Sequence, residues 1–236
     1  MNRWMKTAVV LTVTGMCICG VAVSGAEAKE QWRPGTQAYS FNRFTFYEAV
    51  AKTKSVGLSY IEAYPGQKLS QEDGDARLDH NMSAALRLQV KQMLAEQGIK
   101  LVNYGVVGLP NNEEECRKVF NFARDMGIET IVSEPPEDAI GLIDRLCQEY
   151  KIGVAIHNHP EPSHYWNPDT VMKVCEGRSK WIGACADTGH WSRSGIDPVE
   201  AVKKLGRAGR IRSLHFKDLN EFGNRSAHDV IWGTGA

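Results

Sequence analysis

An excess of charge of either sign is what this sequence lacks. Its 236 residues carry 28 lysines and arginines against 28 aspartates and glutamates, so the formal net charge at pH 7 is +0. Proteins that bind nucleic acid usually carry a basic patch and a high isoelectric point. The balance therefore argues against a nucleic-acid partner, and the length suits one domain with a sizeable core.

Cysteine motifs of the CxxC type are also missing. The chain has 6 cysteines but no CxxC motif, and the spacing shows no disulfide framework. Export, which other features predict below, would permit disulfides. We nevertheless expect ordinary buried thiols at the positions beyond the N-terminal segment, because they fall on or beside apolar faces of predicted elements. These positions are Cys116, Cys147, Cys175 and Cys185.

The only long apolar run lies at the N-terminus, and it is too short and too rich in Thr and Gly to favour a membrane span. It covers residues 8–23, follows a basic start and precedes the small-x-small pattern AEA at residues 26–28. This arrangement is typical of a cleaved secretory signal. We predict a signal peptide over residues 1–28, an exported (periplasmic or extracellular) protein without stable membrane insertion after cleavage, and one barrel domain over residues 29–236. An uncleaved anchor is the alternative.

A unit of helix, glycine and apolar strand recurs along the rest of the chain. It stands at VGLSYIEAY, QGIKLVNY and MGIETIVSE, and related junctions precede the later strands. Alternating helices and strands predict right-handed βαβ units and a parallel sheet. We therefore expect an α/β fold, a (β/α)8 TIM-type barrel, with strands predicted from Thr36–Phe41 to Ile211–Phe216. No eighth βα unit is found between the last of these and Ala236.

Polar side chains end four of the predicted strands. His157 and His159 share one face of an extended strand, as do His215 and Lys217, because side chains alternate along a strand. His190 is expected on a loop just beyond the strand that ends in Asp187. The C-terminal ends of parallel strands meet at one end of a barrel, so a single metal-binding or acid–base site is expected there. The candidate residues are Glu134, His157, His159, Asp187, His190, His215 and Lys217.

Each candidate also has a purely structural interpretation. Any single histidine could make only a loop hydrogen bond, and Asp187 could accept backbone N–H groups from the following loop. Glu134 could support the N-terminus of the next helix, and Lys217 could be a solvated side chain beside a buried His215. The functional interpretation depends on the agreement between separate strands rather than on any one residue.

The residue types at the strand ends match a known chemistry. Hard and borderline divalent ions bind carboxylate oxygens with one or two imidazoles, leaving positions open for substrate oxygens. Glu134, Asp187 and His215 supply that set from three strands. Such an ion polarises a carbonyl and stabilises the ene-diolate formed when a neighbouring proton leaves, which is how sugars are isomerised and epimerised. We expect Mn²⁺, with Mg²⁺, Co²⁺ or Zn²⁺ as alternatives.

The ordered motifs resemble those of the xylose-isomerase-like TIM barrels, the sugar (phosphate) isomerase and epimerase group. They are SEP at Glu134, HNH at 157–159, DTGHW at 187–191, LHFKD at 214–218 and the terminal GTG. The resemblance implies that Glu134, Asp187 and His215 bind the metal and that His190 contacts the substrate. The family's further ligand, a Glu after the eighth strand, has no counterpart in these residues.

We therefore predict an exported, divalent-metal-dependent isomerase or epimerase for a sugar or keto-sugar. Glu134 and His190 are the expected catalytic residues, and Trp166 and Trp191 are candidates for stacking on a sugar ring. Export and the lack of an arginine cluster near the site disfavour a phosphorylated substrate. The expected substrate contacts are His157, His159, His190, Lys217 and Trp191.

Two other functions fit the same residues. A lyase or hydrolase of 3-keto-glycosides would use the same enolisation, and only elimination would release an aglycone or water. A non-catalytic or degenerate sugar-binding barrel is motivated by the absent eighth strand. It would be favoured if Mn²⁺ changed neither thermal stability nor sugar turnover. A homo-oligomer is left open.

Overall fold

Helices and parallel strands alternate through the computed structural model, which describes residues 32–236. The predicted signal peptide lies outside these residues. The strands are β1 (Thr36–Gln37), β2 (Tyr60–Ala63), β3 (Gln67–Lys68), β4 (Arg77–Leu78), β5 (Lys100–Tyr104), β6 (Thr130–Ser133), β7 (Gly153–His157), β8 (Ile182–Asp187), β9 (Ile211–His215), β10 (Asp218–Leu219) and β11 (Asp229–Val230). The α-helices are α1 (Phe46–Ser55), α2 (Ala84–Gln97), α3 (Glu113–Met126), α4 (Ile140–Tyr150), α5 (Pro168–Val174), α6 (Thr188–Arg193) and α7 (Pro198–Arg207).

One 7-stranded sheet organises the fold, in the order β1-β2-β5-β6-β7-β8-β9. All of its neighbouring strands pair in parallel. The sheet forms a half-barrel of the TIM type, which confirms the predicted fold class. Within residues 32–236 no eighth strand joins this sheet, so β1 and β9 are its edges. Two short antiparallel hairpins, β3–β4 and β10–β11, lie outside it.

Helix boundaries coincide with capping residues and glycines in the sequence. Thr45 and Glu48 form a capping box, in which the Thr45 backbone N–H donates to Glu48 Oε2 at 2.7 Å and Thr45 Oγ1 accepts from the Glu48 backbone N–H at 3.3 Å. Gly98 ends α2 and Gly127 ends α3 with φ of 69° and 72°, in the left-handed region that glycine enters without strain.

Two predicted segments differ from the structure. The first strand stops at Gln37, because residues Ala38–Phe41 form a 3-10 helix whose N-terminus the Gln37 side chain caps. The segment after Asp187 is helix α6 rather than a loop. Asp187 is its N-cap, and its Oδ1 accepts the backbone N–H of His190 at 2.9 Å, which favours a helical turn at this point.

The core is built in two layers, as the alternation along the strands predicts. Outward residues such as Ile182, Ala184 and Ala186 pack against the helices in the main cluster. Inward residues Val132, Ala155 and Cys185 form a small separate apolar cluster on the inner face of the sheet. The cysteines at 116, 147, 175 and 185 are free and buried, which confirms the thiol prediction. No helix in residues 32–236 is long and apolar enough to span a bilayer.

Candidate active site at the C-terminal end of the half-barrel

The parallel register brings the ends of β7, β8 and β9 together. Asp187 pairs with His215 across β8 and β9, and His157 pairs with Cys185 across β7 and β8. Each of these strands ends on its polar residue, namely His157, Asp187 and His215. The predicted convergence of side chains from separate strands on one end of the sheet is therefore what the structure has.

Asp187 is the centre of the cluster, with none of its surface exposed. Its Oδ2 accepts a hydrogen bond from Lys217 Nζ at 2.7 Å. The same oxygen lies 3.6 Å from His157 Nε2, 3.7 Å from His190 Nε2 and 3.7 Å from His215 Nδ1. The two carboxylate oxygens of Asp187 thus have different partners, since Oδ1 caps α6 while Oδ2 faces the imidazoles. The structural interpretation of Asp187 is correct for Oδ1 but does not account for Oδ2.

The charge of Asp187 is held by its partners. Burial alone would raise the pKa of its carboxyl, but hydrogen bonds from His157 and His215 and the nearby Lys217 ammonium lower the pKa well below its usual range. Asn158 fixes the backbone at the same place. Its Nδ2 donates to the Asp187 carbonyl at 3.0 Å, and its Oδ1 accepts the Asp187 N–H at 2.8 Å.

Glu134 lies on the opposite side of His157 from Asp187. Its Oε1 is 3.0 Å from His157 Nδ1 and in closer contact with His159 Nδ1, and its Oε2 accepts from Ser163 Oγ at 2.9 Å. Burial would raise the pKa of the Glu134 carboxyl, but the bonds from the two histidines and Ser163 lower it to about 2. The carboxylate is therefore ionised across the physiological range.

His157 bridges these two carboxylates and is 3% exposed. An ionised carboxylate can only accept hydrogen bonds, so the proton on Nδ1 points to Glu134 and Nε2 faces Asp187. Burial would lower the pKa of His157, but Asp187 and Glu134 raise it above its usual value.

His190 differs from His157 in its charge. Burial lowers its pKa to about 3, and the positive charge of Lys217 acts in the same direction against the attraction of Asp187. Lys217 Nζ lies 3.4 Å from its Nε2, and Arg193 Nη1 lies 3.3 Å from its Nδ1. His190 is therefore neutral. The backbone N–H of Lys217 donates to Thr188 Oγ1 at 3.0 Å, which holds Lys217 against α6.

His215 completes the cluster through a residue that the sequence analysis missed. Its Nε2 lies 3.1 Å from Oε1 of Glu62, the inward residue of β2. Burial opposes a charge on this imidazole, but Cys185, Glu62 and Asp187 raise the pKa of His215 well above its usual value. The available signal was a single charged residue inside the apolar strand LSYIEAY. Asn158 and Ser163 were missed as well, because uncharged side chains carry no charge pattern.

Comparison with known proteins agrees with this geometry. Residues 50–236 match the family described as Xylose isomerase-like TIM barrel. The chain belongs to this family. No curated protein matches the sequence.

Solved structures of xylose isomerase-like barrels superpose on this chain. A protein of uncharacterised function from Parabacteroides distasonis ATCC 8503 is similar, with 33% identity, a TM-score of 0.70, and 87% of this chain and 81% of that chain covered. The 3-keto-D-glucoside 4-epimerase of E. coli has 12% identity, a TM-score of 0.58 and 80% coverage of both chains. A zinc-bound IOLI protein has 16% identity, a TM-score of 0.62 and coverage of 86% and 81%. The last two are similar in fold alone.

The donor set of this family member fits a divalent ion, although its grouping differs from the predicted one. Among the described residues two groups of three have ligand atoms within 4.8 Å of one another, namely Glu134–His157–His159 and His157–Asp187–His190. His157 belongs to both groups and stands between Glu134 and Asp187. The predicted trio of Glu134, Asp187 and His215 does not form such a group, although all three lie in one continuous chain of contacts. Imidazoles with a carboxylate suit borderline ions.

The placement of Trp191 requires a correction. We predicted that its ring stacks on a sugar, but it is 1% exposed and packs in the main core. Trp191 lies within helix α6, on the face of the helix that packs into the core. Trp166 is half-buried in the loop before α5, and its stacking role stays a prediction. His159 and Lys217, at 48% and 27% side-chain exposure, are the site residues most open to a substrate.

Proposed function

We propose that this protein is a divalent-metal-dependent isomerase or epimerase of a sugar or keto-sugar. One observation carries the proposal. Three imidazole nitrogens converge within 3.7 Å of a single buried carboxylate oxygen, Oδ2 of Asp187, at the C-terminal end of the half-barrel. Membership of the xylose isomerase-like family supports an enzyme of this kind.

The ion would be held at Asp187 between His157 and His215, which leaves His190 to contact the substrate. When bound, it would polarise a substrate carbonyl and stabilise the charge that develops as a neighbouring proton leaves. We propose Mn²⁺, and the number of imidazoles also supports Zn²⁺, with Mg²⁺ and Co²⁺ as further candidates. Structures of this fold are described in complex with magnesium in a Mycobacterium smegmatis protein and with zinc in the IOLI protein.

The chain's own residues would supply binding and proton transfer. Glu134 is the proposed base, because its carboxylate is ionised and two histidines and Ser163 hold it in one orientation. His190 is neutral, so its imidazole can either donate or accept a hydrogen bond at a substrate hydroxyl. Lys217 and His159 are exposed enough to contact further hydroxyls. With the predicted signal peptide, we also propose that the protein acts in the periplasm or outside the cell.

The test measures ion binding and enolisation separately. Purified protein is titrated with Mn²⁺, Zn²⁺, Mg²⁺ and Co²⁺, and then incubated in deuterated water with aldoses, ketoses and 3-keto-glycosides while NMR follows deuterium incorporation and products. Solvent deuterium at a carbon beside the carbonyl is expected. A new sugar epimer or isomer would support the proposal, whereas release of an aglycone or water would favour the lyase.

Asp187→Asn is the matched variant, because Asn caps a helix as well as Asp and leaves α6 supported. It is expected to weaken ion binding and deuterium exchange by more than about 100-fold, since changes to groups that merely support a ligand already cost about 10–100-fold. Asp75→Asn, on the exposed loop before β4, is the control and should behave as wild type. If wild-type protein binds none of the ions and exchanges no deuterium, the proposal fails.

A further inference from the structure

Glu62 is a buried charge that the proposed chemistry does not require. It lies on β2 and is 5% exposed, inside the half-barrel. Its Oε2 accepts from Asn103 Nδ2 at 3.0 Å, and its Oε1 lies 3.1 Å from His215 Nε2 and 3.5 Å from Gln37 Nε2. Burying a carboxylate is costly unless it is well paired. These partners are two amides and one imidazole, so the pairing with His215 calls for a reason.

The contact spans the interior of the half-barrel rather than two neighbouring strands. Four strands lie between β2 and β9 in the sheet. Asn103 donates to Ser213 Oγ at 3.0 Å as well, so a second polar contact crosses the same space. The curvature of the sheet therefore brings Glu62 on β2 into contact with His215 on β9.

The atoms used on His215 mirror those used on His157. His157 directs Nδ1 to the carboxylate of Glu134 at 3.0 Å and leaves Nε2 facing Asp187 at 3.6 Å. His215 directs Nε2 to the carboxylate of Glu62 at 3.1 Å and leaves Nδ1 facing Asp187 at 3.7 Å. Two imidazoles thus flank Asp187, each with its outer nitrogen bonded to a carboxylate and its inner nitrogen turned to the same oxygen.

We propose that Glu62 is a positioning residue for His215, which fixes the imidazole with its proton on Nε2 and presents Nδ1 beside Asp187 as a donor to the ion. A histidine that binds a metal commonly donates its other N–H to a carboxylate, which sets both the ring orientation and the nitrogen that is free. The inference rests on the proposed function, because a lone pair on Nδ1 matters only if an ion binds there. Asn103 in turn supports Glu62, because its Nδ2 donates a hydrogen bond to Oε2 of Glu62.

The competing explanation is that Glu62 only joins β2 to β9 and stabilises the curl of the sheet. Both explanations expect Glu62→Gln to lower the stability of the ion-free protein. They differ in ion affinity, because a purely structural bridge leaves the dissociation constant of the folded protein unchanged. The neutral amide that Glu62→Gln introduces is a weaker acceptor than the carboxylate. When turned over, it offers an N–H that forces the Nε2 lone pair toward it and the proton onto Nδ1.

The experiment compares wild type with Glu62→Gln by calorimetric titration with Zn²⁺ and with Mn²⁺. Glu62→Gln is expected to bind about 10–100-fold more weakly, while the control Glu96→Gln, on the exposed face of α2, should bind as wild type. Asn103→Ala, which leaves both partners of the Glu62–His215 contact in place, should show a smaller loss. Equal affinity in wild type and Glu62→Gln, with both proteins folded, would overturn the proposal.

A second measurement needs no variant at position 62 to fold. Imidazole ¹H–¹⁵N spectra of wild-type protein, with the His215 signals identified by their absence in His215→Asn, should show a hydrogen-bonded proton on Nε2 in both the ion-free and the Zn²⁺-loaded forms. A His215 proton on Nδ1 only, in either form, would refute the assignment. If wild type binds no ion, the proposed function fails, whereas the ion-free spectrum still decides whether Glu62 orients His215.

Discussion

Replacing Glu134 by glutamine is expected to flatten the acid side of the stability curve of the ion-free protein. In the folded chain this carboxylate accepts hydrogen bonds from His157, His159 and Ser163. Those bonds outweigh the effect of burial and lower the pKa of Glu134 from its ordinary 4.5 to about 2. Its side chain is only 20% exposed, so solvent screens these contacts little.

The size of the effect follows from the two pKa values. A carboxyl with a depressed folded-state pKa contributes stability that is complete above its unfolded value of 4.5 and disappears as the pH falls through about 2. The full contribution is ~3 kcal/mol, of which ~2 kcal/mol is lost between about pH 6 and about pH 3. Raised pKa values at His157 and His215 contribute stability below 6.5 that is lost as the pH rises, so they do not add to the acid slope. The lowered pKa of His190, about 3, does add to it, because the unfolded chain binds this proton at a higher pH than the folded chain.

The assay is urea unfolding in a chelator, followed by circular dichroism at a series of pH values on the acid side. Asp187 and His190 also contribute to the acid slope, but they are present in both proteins, and the difference in slope between wild type and Glu134→Gln therefore reports on Glu134. Glu176→Gln, an exposed residue after α5, is the control. Parallel curves for wild type and Glu134→Gln would show that the contacts of Glu134 do not hold its charge as described, and the reasoning would be wrong.

Two further predictions concern the support of the site and the opposite end of the barrel. Gly189→Ala would place a Cβ 2.7 Å from Cβ and 2.8 Å from Cδ of Lys217. Lys217 is therefore expected to move away from Asp187, and ion binding and turnover are expected to change. The control Gly206→Ala, whose Cβ would lie 3.7 Å from its nearest neighbour, should leave ion binding and turnover unchanged and stabilise α7 by ~0.5–1 kcal/mol. Identical titration curves for the two variants would contradict this. Asp144→Ala removes the carboxylate that accepts the Ser179 backbone N–H at 3.2 Å. It should lower the free energy of unfolding by ~1–3 kcal/mol and leave the ion affinity unchanged. A loss of ion affinity at constant stability would refute the separation of the two ends of the half-barrel.

The candidate site shows where sequence reasoning succeeds. His157, Asp187 and His215 could be assigned to one end of the sheet because the inward and outward periodicity of a strand depends only on local backbone geometry. Their cluster exists as expected. Glu62 could not be assigned, since its strand precedes β9 by most of the chain and only the curvature of the sheet brings the two together. The stacking role of Trp191 failed for a related reason, because it depended on whether Asp187 starts a helix or a loop.

What the sequence by itself determined is the set of elements: the capping box at Thr45, the glycine ends of helices, the strand faces and the polar residues at strand tips all follow from short-range stereochemistry. The tertiary structure alone decided the partners. It placed His157 between Glu134 and Asp187, brought Nε2 of His215 into hydrogen-bond contact with Glu62, and buried Trp191. Such pairings depend on distances of a few ångströms between segments far apart in the chain, and those distances are set by the sheet's register and curl, which no local pattern encodes.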